Sequence, residues 1–209
     1  MTRLVFFLTV ALTALVLLAN TAVAATAVKL DMPHLVERSE VIVVAQVTAL
    51  ESKLEEDGRV YTTIHLQTEE ALKGQPGKEF SIRQIGGRDG DVATRAPGMP
   101  DFDEGETVFL FLRNVDTFPV VTGLSQGKFS IAVGPDDSTR YVVPQVDGLR
   151  LLDPKEAPRR RGEDSQPLST DLMDHRATFQ QVHEFDAFRD RVQELIDGDD
   201  ATGGQGGEQ

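Results

Sequence analysis

A mainly β fold is predicted here: an OB-like five-stranded barrel with extra short strands and a C-terminal α-helix. Three observations carry that prediction. Runs of β-branched or alternating residues recur between strong turn signals over residues 40–152. One long connection separates the third run from the fourth, which is the rhythm of an OB-type barrel. A clear helical period comes late, where Phe185, Phe188, Val192, Leu195 and Ile196 repeat on one face.

Residues 1–24 read as a secretory signal peptide. Arg3 supplies a positive start, residues 4–18 are apolar or small, and Ala22-Val23-Ala24 is a small-x-small cleavage site. The apolar run falls short of the roughly 20 residues of a membrane helix, so no span is expected after cleavage. Residues 25–39 form a lead-in, helical or irregular, with Pro33 near its start. The strand at 41–50 is apolar on both faces at first. Asp57-Gly58 closes a hairpin turn. Residues 60–72 then alternate, with Thr62, Ile64, Leu66 and Leu72 on one face and Tyr61, Thr63, His65, Gln67 and Glu69 on the other.

Lys73-Gly74-Gln75-Pro76-Gly77 marks a second turn, and residues 80–85 a third strand. Residues 86–106, rich in Gly and lacking helical period, read as a long structureless connection, a type that is usually functional or mobile. Residues 107–113 (TVFLFLR) are apolar on both faces and should be central. Residues 120–124 and 128–133 suggest a hairpin around Ser125-Gln126-Gly127, with Phe129, Ile131 and Val133 on one face. Residues 141–143 and 149–152 add short strands around Asp147-Gly148. The barrel domain thus spans 40–152. Residues 153–171, with three prolines and Arg159-Arg160-Arg161, form a linker. Residues 172–198 are a C-terminal helical segment that packs onto the barrel, its helix over 185–196 stopped by Asp197-Gly198. Residues 199–209 form a disordered tail.

Composition narrows the function. The formal net charge of −13 repels nucleic-acid phosphate and anionic lipid, so nucleic acid is not an expected partner. There is no Cys, which excludes a thiol nucleophile, a thiolate metal site and a redox pair, and leaves the fold to its hydrophobic core. No Trp and only two Tyr argue against an aromatic stacking platform.

The run Glu40-Val41-Ile42-Val43-Val44-Ala45-Gln46-Val47, residues 64–70, Leu72-Lys73-Gly74 and Gly105-Glu106-x-Val108-Phe109-Leu110-Phe111-Leu112 together carry a resemblance. This pattern, over about residues 40–133, resembles exported bacterial proteins of unknown function. Their layout is similar to the netrin-like, OB-type domain of tissue inhibitors of metalloproteinases. The resemblance implies that fold and an expectation of protein binding. Those inhibitors plug the protease zinc with a disulfide-bonded N-terminal Cys. This chain has no Cys and an expected mature start at Ala25, so no inhibitory residue is carried over.

Four patterns bear on chemistry. Gly123-Leu124-Ser125-Gln126-Gly127 matches the G-x-S-x-G elbow, which needs a strand-to-helix turn to expose its Ser. The residues that follow alternate as a strand, so a turn explains both glycines. His175 and His183 are spaced to share a helix face, but lack the H-E-x-x-H pattern of a zinc site; solvated polar residues are the simpler reading. His34 and His65 are isolated. Asp101-Phe102-Asp103-Glu104-Gly105-Glu106 packs four carboxylates that could hold a weak calcium ion, or merely form a solvated turn. Gly86-Gly87-Arg88-Asp89-Gly90-Asp91 lacks the Lys-Ser/Thr pair of a phosphate loop.

The reading that results is an exported, non-catalytic protein-binding or accessory module, periplasmic or extracellular, without metal or cofactor. Its partner is a protein, with a secreted protease suggested by fold analogy alone. The expected contact residues are Arg88, Asp89, Asp91, Arg95, Asp101, Asp103 and Glu104, because long loops on rigid scaffolds commonly carry recognition. The C-terminal helix is the other candidate surface. The alternatives are a hydrolase using Ser125 or carboxylates of residues 86–106, and a structural envelope component.

Overall fold

In chain order, the elements of the computed structural model begin with β1 (Ala25–Val28) and α1 (Met32–Glu37). Asp31 caps α1 by accepting from the His34 amide at 3.1 Å, and Pro33 sits in the first turn, where its missing N–H costs nothing. Next come β2 (Val41–Leu54), β3 (Val60–Lys73), β4 (Glu79–Ile85), β5 (Gly87–Asp89) and β6 (Val92–Thr94). The chain continues through β7 (Thr107–Val115), β8 (Phe118–Val121), a 3-10 turn (Leu124–Gly127), β9 (Lys128–Val133), β10 (Arg140–Pro144) and β11 (Leu149–Leu152). It ends in β12 (His183–Glu184) and α2 (Phe185–Gly203). The structure describes residues 25–115, 118–135, 137–146, 149–152 and 182–203. The signal peptide (1–24), the linker (153–171) and the first part of the C-terminal segment lie outside them.

An eight-stranded sheet runs in the order β12-β10-β9-β7-β2-β3-β4, with β8 also on β7. β7 is central, as its two apolar faces require: it pairs with β2 along one edge and with β9 and β8 in succession along the other. Alternation then divides the core. Ile42, Val44, Phe109, Phe111 and Phe129 face α1 and α2, where Phe185, Phe188, Val192 and Ile196 meet them. Val43, Ala45, Val47, Val108, Leu110 and Leu112 face the other way, onto Ile64, Leu66, Ile82 and Phe102. The mainly β fold with a packed C-terminal helix is therefore as expected. The ladders do not close on one another among the described residues, so the OB-like barrel expected from the sequence is not shown. No helix among these residues is long and apolar enough to cross a membrane.

Several expectations need correction. β8 and β9 do not form a hairpin: each pairs with β7, and the 3-10 turn lifts the chain from one to the other. Residues 86–106 contain the β5–β6 hairpin instead of lacking structure. Leu72 packs against the helix-side cluster, opposite Ile64 and Leu66, because register shifts in the β2–β3 pairing change the phase of alternation. Val133, expected to share a face with Phe129, is 61% exposed. β1 pairs in parallel with β11, a contact between chain segments more than a hundred residues apart. Finally, α2 runs through Asp197-Gly198 to Gly203, so residues 199–203 of the expected disordered tail are helical. One Gly in a helix costs only about 1 kcal/mol, too little to force a stop.

Candidate functional site

Residues 86–106 cross the end of the sheet opposite the helices, and polar contacts fasten them along their length. Gly86 donates to the Val60 carbonyl at 2.9 Å and accepts from Thr62 Oγ1 at 2.7 Å. Asp89 Oδ2 accepts from the Leu54 amide at 2.9 Å, and Thr94 Oγ1 from the Val60 amide at 2.8 Å. Farther on, Gln84 Nε2 donates to the Pro100 carbonyl at 2.8 Å, and the Ser125 amide to the Gly98 carbonyl at 2.9 Å. The last turn is tied to β2 by Gly105 N to Val47 O and Val47 N to Glu106 O, both 2.8 Å. Gly87 is required at its position: φ is +122°, and a Cβ there would lie 2.4 Å from Thr62 Oγ1.

Beneath the return of this segment lies a buried polar knot. Lys128 is 1% exposed. Its Nζ donates to Glu106 Oε1 and Oε2 at 2.8 and 2.9 Å, to Gln145 Oε1 at 3.0 Å and to the Asp101 carbonyl. Ser130 Oγ donates to Glu106, and Gln145 Nε2 to Ser130 Oγ at 2.7 Å. The ammonium also stands 4.7 Å from the centre of the Phe102 ring. Burial pulls the Lys128 ammonium below its ordinary pKa; hydrogen bonding and attraction to Glu106, then attraction to Asp103 and Asp101, oppose that shift. This knot is fully partnered, and its effect is to hold Phe102 over the second cluster. Alternation alone would have placed Lys128 with Ser130 on a solvent-facing strand edge. The pairing of β9 with β7 across Leu110 and Lys128 is what buries it.

The structure distributes the seven expected contact residues over two stations. Arg88 and Asp89 stand on β5 and Asp91 on the following turn, all exposed. Arg95, Asp101, Asp103 and Glu104 lie on the return, also exposed. Two of them are engaged locally: Asp89 with Leu54, and Glu104 Oε1 with the Leu50 amide at 3.3 Å. No group of three metal-type ligands converges among the described residues. Arg95 and Asp101 line an open cavity of 370 Å³ between the segment and β2–β4, together with Ser52, Thr62 and Gln84.

Ser125 of the G-x-S-x-G pattern is 2% exposed, and its buried Oγ has no hydrogen-bond partner among the described residues. The turn is followed by β9, not by a helix, so the exposed strand-to-helix geometry of an elbow is not formed. Gln126 acts structurally, accepting from the Leu30 amide at 2.9 Å and donating to the Val28 carbonyl at 3.1 Å. Of the histidine pair, His175 lies outside the described residues, while His183 sits on β12 beside Phe188. His34 pairs with Asp31 at 2.5 Å, and His65 Nδ1 with Ser81 Oγ at 3.0 Å.

A second, larger cleft of 610 Å³ opens between β4 and β8, lined mainly by apolar side chains with Arg83 and Arg113 among them. Sequence reasoning missed it because its two walls are distant in the chain. Outward apolar residues at 85, 115, 118 and 120 were its only signal. No protein-family model matches this chain, and neither a curated protein nor a solved structure is found similar to it.

Proposed function

We propose that this chain is an exported, non-catalytic protein-binding or accessory module whose contact surface is the 86–106 segment. One observation supports this reading above the others: polar fastenings hold the segment's backbone in place while Arg88, Asp91, Arg95, Asp101 and Asp103 stay exposed. A surface ordered before contact loses less conformational entropy on binding, which favours recognition. With the acidic side chains in the majority, the partner face it suits carries net positive charge. Export rests on the sequence of residues 1–24. The OB-like, netrin-like reading is supported by the β2-β3-β4 meander and by the close approach of β4 and β8 without pairing. A secreted protease as the partner rests on the resemblance alone.

The test is affinity capture from the secreted fraction of the native host, comparing the chain with the variant Asp91→Lys/Asp103→Lys, which reverses the acidic side chains of the segment. Removing the segment would strip Phe102 from the core, so charge reversal is the cleaner perturbation. A partner held by the native chain and lost by the variant is the expected result. Equal capture by both would move the interface elsewhere, and no capture would favour the structural or enzymatic readings.

A further inference from the structure

Outward positions on an uncovered sheet face are ordinarily polar, as Thr63, His65 and Gln67 of β3 are. One strip departs from this. Ile85 of β4 and Val115, Phe118 and Val120 at the β7–β8 end line the 610 Å³ cleft, and Phe118 is 38% exposed. Arg113 sits directly across from Val120, and Val115 across from Phe118, so guanidinium and apolar strip share one face. The second cation of the cleft, Arg83, is committed to Glu55 at 2.9 Å and stacks over Tyr61 at 4.4 Å. Arg113 is exposed and has no ion-pair partner among the described residues. A guanidinium without an ion-pair partner among the described residues, set against an apolar wall, suits an anion with a hydrocarbon body, and its local attraction must outweigh the chain's overall charge of −13.

We infer that this cleft binds a single-chain fatty acid, its acyl chain along Ile85, Phe118 and Val120 and its carboxylate on Arg113. The shape argues for an acyl chain over an added peptide strand. β4 and β8 are unpaired where they face one another, yet their Cα atoms approach within 8 Å. A strand inserted between them needs roughly 9.5 Å, twice the ordinary inter-strand spacing. The inference does not rest on the partner surface proposed for residues 86–106, although Met99 and Pro100 of that segment also line the cleft.

Isothermal titration of the full chain with laurate, kept below its micelle-forming concentration, tests it against dodecanol and acetate. Laurate should bind one-to-one, dodecanol about tenfold more weakly, and acetate not at all. Arg113→Gln should weaken laurate about tenfold and leave dodecanol unchanged, whereas Val120→Thr should weaken both by a similar factor of about three. Arg113 is exposed, so its variant should melt at the native temperature. No binding of laurate, or equal binding by the Arg113→Gln chain, overturns the inference. Binding of an apolar tripeptide with a free carboxylate in preference to laurate also overturns it, and would assign the cleft to a protein.

Discussion

The two faces of the central sheet are closed by different means. On one face Phe109, Phe111 and Phe129 meet Phe185 and Phe188 of α2 in an aromatic cluster, with Phe109 and Phe188 edge to face at 5.1 Å. The other face is aliphatic and is closed by Phe102, which the Lys128–Glu106 knot holds in place. The first closure is chiefly aromatic packing, with Lys73–Asp199 and Arg140 over Phe185 at its margin; the second depends on polar fastenings that leave charged side chains in water. The helix-covered face therefore presents chiefly the polar back of α2 and, beyond the helix, the apolar cleft beside Arg113, while the polar-fastened face presents a fixed array of charge. That difference is why we propose recognition for the 86–106 side.

Removing an aromatic from the helix face should have the largest effect. Phe188→Ala is expected to lower stability by about 4 kcal/mol in urea unfolding, since it empties the centre of the cluster. Phe102→Ala should cost about 3 kcal/mol. Its signature should differ as well: hydrogen exchange ought to speed up across residues 86–106 while α2 stays protected, which would show that the two closures act separately. If α2 exchanged equally fast, the faces would form one cooperative unit.

The knot gives a smaller, pH-dependent test. Lys128→Met leaves the Glu106 carboxylate without its cation, and should cost about 2 kcal/mol near neutral pH, with Lys128→Met/Glu106→Leu recovering most of it. Burial lowers the folded-state pKa of Lys128, so the unfolded chain holds that proton more tightly. The resulting destabilisation is fully present below the folded pKa. It fades as pH rises from there towards the ordinary lysine value of 10.5, so this group contributes a rise in stability with pH over that window. Denaturant midpoints followed upward from neutral pH should show that rise in the native chain and not in Lys128→Met. The smallest effect belongs to the exposed hairpin: Asp89→Ala, which removes the acceptor for the Leu54 amide, should cost about 1 kcal/mol.

Much of the helix face was legible in the chain. The period of Phe185, Phe188, Val192 and Ile196 identifies α2 and its buried side, and Pro33 marks the start of α1. The β-branched run at 41–47 and the apolar run at 107–112 identify the two central strands. The opposite face was much less legible, because its closure depends on pairings that local pattern does not encode. Lys128 follows a glycine turn and alternates with Phe129, which reads as an outward lysine; only the pairing with Leu110 buries it. Glu106 looked like one more carboxylate in a solvated acidic run, yet it is the partner of that lysine. The register shifts that send Leu72 to the helix side, and the pairing of Ala25 with Leu149, likewise require knowing which strands meet.

The central claim, that recognition lies on the polar-fastened face, is tested most directly by paired charge reversals on the two sides. The captured partner's affinity for Arg88→Glu/Asp91→Lys should be compared with its affinity for Asp190→Lys/Arg191→Glu on the exposed back of α2, each pair conserving net charge. Loss of affinity in the first with native affinity in the second is the result expected here. Native affinity in the first and loss in the second would contradict the account and place the interface on the helix.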